Sequence, residues 1–285
     1  MRNRYMGVFV LAINSLFILS MPACQTLKNQ NAERSREEEL LNTQKNVAIN
    51  YINQGLPNLA LRELRTLSSQ YPKDPDFKNL LGLTYLAMQN PGTALSYFEE
   101  SYRLAARPSV ALNLSSAYIE TKQYDKAIKV LRDLRESPEG KEYPYPERIS
   151  HNIGLAAERF NKPKMAEKYY KLALRDNPFY YVSIMRLGQL YESTQRADLA
   201  LEQYQKGREA CSKCFDPIQA LVTQYTKAKQ PAKAVALIQE FLADRELENT
   251  DRTKARKLLT ELTQNNGYPI ISSTTKANSG EGRAN

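Results

Sequence analysis

Apolar residues along most of the chain recur at helical rather than strand spacing, and they do so in a register that repeats. One arrangement returns six times: a small residue, a Tyr three positions later, an Ala nine after that, and a large apolar residue four further on. It picks out Ala48, Tyr51, Ala60 and Leu64, then Gly82, Tyr85, Ala94 and Phe98, then Ser115, Tyr118, Ala127 and Leu131. The fourth copy has Gly154, Ala166 and Tyr170, with Ala157 in the Tyr position, and the fifth has Gly188, Tyr191, Ala200 and Tyr204. A sixth, Val222, Tyr225, Ala234 and Ile238, has lost the small first residue. Measured at the recurring Ala, successive copies are 34, 33, 39, 34 and 34 residues apart. Each copy reads as two antiparallel helices. The small residue lets them approach, the Tyr and the Ala fill the interface, and a Pro such as Pro72 or Pro178 ends the second helix. No single copy can bury its apolar face alone, so the copies are expected to stack.

Five stretches depart from this register. Residues 1–23 place Arg2 and Arg4 ahead of an apolar run, Met6 to Leu19, followed by small residues and a Cys. That is the pattern of a signal peptide, and the run falls short of the roughly twenty apolar residues a membrane span needs. Residues 24–40 are polar and charged and read as a flexible tether ahead of the six repeats at 41–248. The longer interval between copies three and four falls within Ser137 to Pro146, which carries Pro138, Gly140, Pro144 and Pro146 and reads as a loop. Its Tyr143 and Tyr145 are either exposed contacts or packed against the nearest helix. Residues 249–264 form one amphipathic helix with Asn249 or Thr250 as N-cap, a polar-faced end for the stack. Residues 265–285, rich in Ser, Thr, Asn and Gly with little apolar beyond Ile270 and Ile271, are expected to be disordered.

The six registered copies resemble the tetratricopeptide repeat, a helix pair of 34 residues. The resemblance implies an all-α chain: a right-handed superhelical solenoid of six helix pairs closed by the C-terminal helix. In that family the first helix of each pair lines a concave groove that holds a partner. Projected onto this chain, the groove receives Ile49, Ile52, Leu83 and Leu86, and further along Leu112, Ile119 and Leu155. All seven are apolar and suit an amphipathic helix or an extended apolar segment. The Lys/Asn clamp of some members is missing: Lys45 lies near one clamp position, but Ile49 and Leu80 stand where Asn is expected.

Composition supports helix: Trp is absent, Gly numbers 11, and Ala, Leu, Gln, Glu and Lys recur throughout. The formal charge is +9, or +7 without Arg2 and Arg4, and both signs are interleaved along nearly every segment. No dense basic stripe points to nucleic acid. Catalytic chemistry is poorly supplied. His151 is the only histidine, carboxylates are scattered, and no Gly-rich phosphate loop is present. His151, on the first helix of the fourth copy, reads as a surface or groove side chain. Cys211 and Cys214 form a C-x-x-C at the junction of copies five and six, with a structural disulfide as the first expectation and redox or metal chemistry as alternatives. No enzyme activity, metal or cofactor is expected.

Met21-Pro22-Ala23-Cys24 resembles a lipobox, in which the Cys is acylated and becomes the mature N-terminus. Several acyl chains on Cys24 would hold the protein on a membrane. Gln25 is not the Asp that retains enteric lipoproteins in the inner membrane, which implies an outer-membrane protein facing the periplasm. A lipobox, a short tether and six repeats together resemble the type IV pilus pilotins (the PilF, PilW and Tgl group). That resemblance implies a monomeric, noncatalytic scaffold that holds a segment of the pilus secretin and assists its localisation and multimerisation. The alternative is a lipid-anchored adaptor for peptidoglycan hydrolases or envelope assembly machinery.

Overall fold

The computed structural model describes residues 32–266, and all regular structure among them is helical. The chain divides into two compact units, residues 1–121 and 122–285, with the division inside the third repeat, between its two helices. The expected signal peptide, residues 24–31 of the expected tether and residues 267–285 lie outside the described residues.

The first unit contains α1 (32–53), α2 (Pro57–Gln70), α3 (Pro75–Ala87), α4 (Pro91–Leu104) and α5 (Pro108–Glu120). Helix α1 begins earlier than the sequence reading allows: residues 32–40, read there as tether, are helical, though exposed. They contain no Gly or Pro, and Glu37 accepts a hydrogen bond of 3.1 Å from the Tyr71 hydroxyl beyond α2. The core of this unit joins Ala48, Ala60, Leu64, Leu67, Phe77, Leu80 and Leu81, with Ile52 and Leu83 packed against it.

The second unit contains α6 (Tyr124–Glu136), α7 (Pro138–Lys141), α8 (Pro146–Arg159), α9 (Pro163–Asp176), α10 (Tyr181–Ser193), α11 (Ala197–Ala210), α12 (Phe215–Lys227), α13 (Pro231–Ala243) and α14 (Asn249–Asn266). The stretch read as a loop holds the single helical turn α7, started by Pro138 and capped by the Ser137 hydroxyl, which accepts from the Gly140 amide at 3.0 Å. Tyr143 and Tyr145 pack edge to face on each other with ring centres 5.8 Å apart, and Tyr145 stays half exposed. Around this turn Arg135 of α6 reaches both Ser150 of α8 (2.6 Å) and Asp176 of α9 (3.0 Å), which ties three helices together.

The repeating register has a direct packing basis. The six recurring alanines, Ala60, Ala94, Ala127, Ala166, Ala200 and Ala234, are all 0% exposed. In three repeats the side chain sixteen residues after the small position faces it. Where that residue is aromatic the small one is Gly: a Cβ on Gly82, Gly154 or Gly188 would come within 2.5–2.7 Å of the ring of Phe98, Tyr170 or Tyr204. Where the residue sixteen positions on is aliphatic (Leu64, Leu131, Ile238), the small position in the sequence is Ala48, Ser115 or Val222 instead. The turn inside each pair is also uniform. Gly55, Gln89, Lys122, Asn161, Gln195 and Lys229 all have positive φ. Two residues further on the second helix starts, with Pro at its first position in α2, α4, α9 and α13. In four of these turns the amide one residue past the positive-φ position closes onto the carbonyl of the signature Tyr, as Asn90 does to Tyr85 at 2.9 Å. That bond and its neighbour cap the first helix by a left-handed C-terminal motif. Pro therefore starts helices here more often than it ends them, because its missing N–H is one the first turn leaves unpaired anyway.

Candidate partner-binding site

In the first unit, α1 and α3 present the apolar row expected of a groove only in part. Ile49 is 38% exposed, and Ile52, Leu83 and Leu86 are half-buried, so each keeps some apolar surface in solvent. Leu112 and Ile119 do not belong to such a surface, being 7% and 8% exposed. The reason lies in α5 itself, which buries eight of its thirteen residues. A helix that is apolar on more than one face is covered on more than one face, whatever the repeat projection assigns. Leu155, on α8 in the second unit, is half-buried. Lys45 is engaged internally: its Nζ lies 2.9 Å from a carboxylate oxygen of each of Asp74 and Asp76, and 4.9 Å above the Phe77 ring.

The inner helices of the second unit carry a different surface. Between α10 and α12 lies a cleft of about 500 Å³, with Tyr204 of α11 at its base. Its walls are mostly polar, with Arg186, Gln189 and Glu192 from α10 and Asp216, Gln219 and Thr223 from α12. Two carboxylates are held in place from the core side. The Tyr170 hydroxyl donates to Glu158 at 2.5 Å, and the Tyr204 hydroxyl donates to Glu192 at 2.8 Å. Burial raises both phenols, and donation to a carboxylate raises them further, so they remain protonated donors. Each carboxylate meets a base one repeat further on: Glu158 lies 3.8 Å from Arg186 and Glu192 lies 2.6 Å from Lys227. The Lys227 ammonium bonded to Glu192 holds that carboxyl below the usual range. The Tyr181 hydroxyl, at the cleft wall, is buried without a hydrogen-bond partner. Burial, with Asp216 and Asp251 nearby, pushes it up to about 12.

Simple register finds this cleft. Gln189 follows Gly188 as Leu83 follows Gly82, and Glu192 stands four after Gly188 as Leu86 does after Gly82. An apolar projection passes over these positions because their side chains are polar.

His151 is not at the surface. It is 6% exposed, its Nδ1 lies 2.9 Å from the Ser183 hydroxyl, and its ring sits 5.5 Å from both Tyr170 and Tyr180. Burial, aided by the Arg186 charge, lowers it to about 4, so it is a neutral core side chain at pH 7. Cys211 and Cys214 are joined in a disulfide that closes the turn from α11 to α12, with their Cα atoms 5.4 Å apart.

The Tetratricopeptide repeat family model matches residues 48–107 and 81–141. The anaphase-promoting complex subunit CDC16 of Saccharomyces cerevisiae is 26% identical over 164 residues. That alignment covers 55% of this chain, which spans only about a fifth (19%) of that relative's length. Among solved structures, Pseudomonas aeruginosa PilF is similar with a TM-score of 0.59 and 16% identity, over 76% of this chain and 96% of that one. PilW, described as a widely conserved type IV pilus biogenesis factor, is similar with a TM-score of 0.63 and 13% identity, over 75% and 97%. At those identities the likeness is one of fold. The motif match places tetratricopeptide repeats at residues 48–141, and the helix pairs at this period share the fold of tetratricopeptide-repeat solenoids.

Proposed function

We propose that this chain is a noncatalytic, lipid-anchored protein of the outer membrane that holds a segment of a partner protein against its inner helices. The partner proposed is the type IV pilus secretin, whose localisation and multimerisation the protein assists. The observation that carries this reading is extent: the shared fold takes in nearly the whole of PilF and of the pilus biogenesis factor PilW, 96% and 97%, within about three quarters of this chain. The half-exposed row Ile49, Ile52, Leu83 and Leu86 supplies apolar contact area for such a segment. Acylation of Cys24 would confine the pair to one membrane and raise the local concentration of secretin subunits. No step of this role requires a reacting group.

The test is deletion of the gene in its host, with secretin rings compared in unboiled membranes by immunoblot and reexpression as control. Missing or mislocalised rings, restored by the intact gene but not by Leu83→Asp/Leu86→Asp, are expected. Normal rings would overturn the pilus reading and leave the adaptor for peptidoglycan enzymes. Radiolabelled palmitate should enter the intact protein and not Cys24→Ala; label in the variant would overturn the anchor.

A further inference from the structure

Resting on the reading of this chain as a segment-binding protein, we infer that the cleft between α10 and α12 takes an extended, polar stretch of partner polypeptide and seats a basic side chain of that stretch against Asp216. The apolar row of the first unit and this cleft ask for different chemistry.

The charges in the second unit decide the sign. Arg186 is met by Glu158, Lys227 by Glu192 and Lys254 by Asp251 at 2.8 Å. Asp216, exposed on the wall, makes no ion pair of its own among the described residues and shares the Lys254 ammonium with Asp251, so four carboxylates face three bases and one negative charge is left in excess. Beside it the Tyr181 hydroxyl is buried and unpartnered. An arriving ammonium or guanidinium satisfies Asp216, whereas an arriving carboxylate meets it unfavourably.

The extended backbone follows from the two amides. Gln189 and Gln219 stand on opposite walls, and neither side chain has a hydrogen bond among the described residues. Each carries a donor and an acceptor, which matches the N–H and C=O groups that an extended segment leaves unpaired. A helix docked in the same place has its own backbone groups already paired, so the glutamines would gain nothing from it. Val182 and the largely buried Met185 complete the cleft lining and supply its apolar part.

Met185 also provides the readout. It lines the cleft, whereas Met165 borders a separate hollow beside α6 and Met88 belongs to the first unit. The purified protein, labelled with ¹³C at its methionine methyls, is titrated with the blocked peptide Gly-Gln-Lys-Gln-Gly and with the same peptide carrying norleucine or Glu at its centre. The expected result is a shift of the Met185 methyl alone, with the Lys peptide about two- to fivefold tighter than the norleucine peptide, the range of an exposed ion pair. Asp216→Asn should erase that preference and leave norleucine binding unchanged. Equal affinities, tighter binding of the Glu peptide, or a motionless Met185 would each overturn the inference. The titration contains no secretin, so its failure leaves the pilus reading standing, and intact rings in the deletion strain leave this inference standing.

Discussion

Lowering the pH from 7 to 5 should weaken the second unit through His151. The imidazole falls from its usual 6.5 to about 4 in the fold, first because it is buried and second because Arg186 lies near. In the unfolded chain it regains the ordinary value. Below pH 6.5 the unfolded chain therefore binds a proton that the folded chain refuses, and stability falls with pH until about 4, where both forms bind it. Integrated from pH 7 to pH 5, that difference amounts to about 2 kcal/mol. Such a loss is a sizeable part of the roughly 5–15 kcal/mol that holds an ordinary domain together. Urea unfolding followed by circular dichroism at pH 7, 6 and 5 measures it, with His151→Asn as reference. Asn keeps a polar group near the Ser183 hydroxyl but carries no proton that titrates in this range. The variant should start less stable at pH 7 and then stay level, while the parent declines towards it, and the contribution of the first unit cancels in the comparison. Equal slopes for the two proteins would show that the imidazole is not the group responsible.

Gly188→Ala would ordinarily gain helix propensity, yet it should destabilise by about 1–3 kcal/mol. Its Cβ would stand 2.6 Å from Tyr204 Cε1. Adding Tyr204→Leu should recover part of the loss, because the first repeat already pairs Ala48 with Leu64, and a stabilised single variant in thermal melts would refute the close-approach argument. Glu192→Leu should leave the Tyr204 hydroxyl buried without its acceptor at a cost of about 1–3 kcal/mol. Tyr204→Phe added to it should restore most of that, as Phe98 and Leu86 coexist in the second repeat, and strict additivity in a double-mutant cycle would refute the pairing. Replacing Cys211 and Cys214 by Ser opens a loop of four residues, which the chain-entropy relation values at about 2 kcal/mol. Calorimetry should show a lower Tm that reductant reproduces in the parent and leaves unchanged in the variant; a parent indifferent to reductant would remove the disulfide from the account of stability.

Much of the fold is legible in the sequence because close packing between two helices admits few residue types at fixed offsets. The recurring alanines mark where backbones meet, and the Gly positions mark where an aromatic ring lies across the gap. Other features depend on what covers a side chain, which no single-repeat pattern records. Leu112 and Ile119 occupy nominal groove positions and are nevertheless enclosed, and His151 occupies another and lies in the core between two tyrosines. The early start of α1 and the turn α7 were hidden by composition: runs of charge and clusters of Pro resemble linker even where a tyrosine hydroxyl or a serine cap stabilises helix. The polar cleft was within reach of the same offsets, and a search for apolar positions excluded it.

The difference between the two inner surfaces follows from the core. In the fourth and fifth repeats the residue four after the small one meets the side chain that faces that small residue. Leu64, Phe98 and Leu131 carry no hydroxyl, and the matching positions are Ile52, Leu86 and Ile119. Tyr170 and Tyr204 do carry one, and there the matching positions are Glu158 and Glu192, each accepting from the phenol. A buried phenol requires an acceptor. A carboxylate so placed in turn gains from a base, which Arg186 and Lys227 provide from the next repeat. A choice made in the core, ring hydroxyl or none, thus carries an acid and then a base onto the inner face. Those charges cancel in pairs and are explained by packing alone. Asp216 is outside this chain of requirements, since no core hydroxyl donates to it; it stands in the first turn of α12, where an acidic side chain suits the helix N-terminus, and it shares the Lys254 ammonium with Asp251. It is therefore the carboxylate in the cleft that no buried phenol requires, and the one on which the choice of partner can act with the least disturbance to the core beneath.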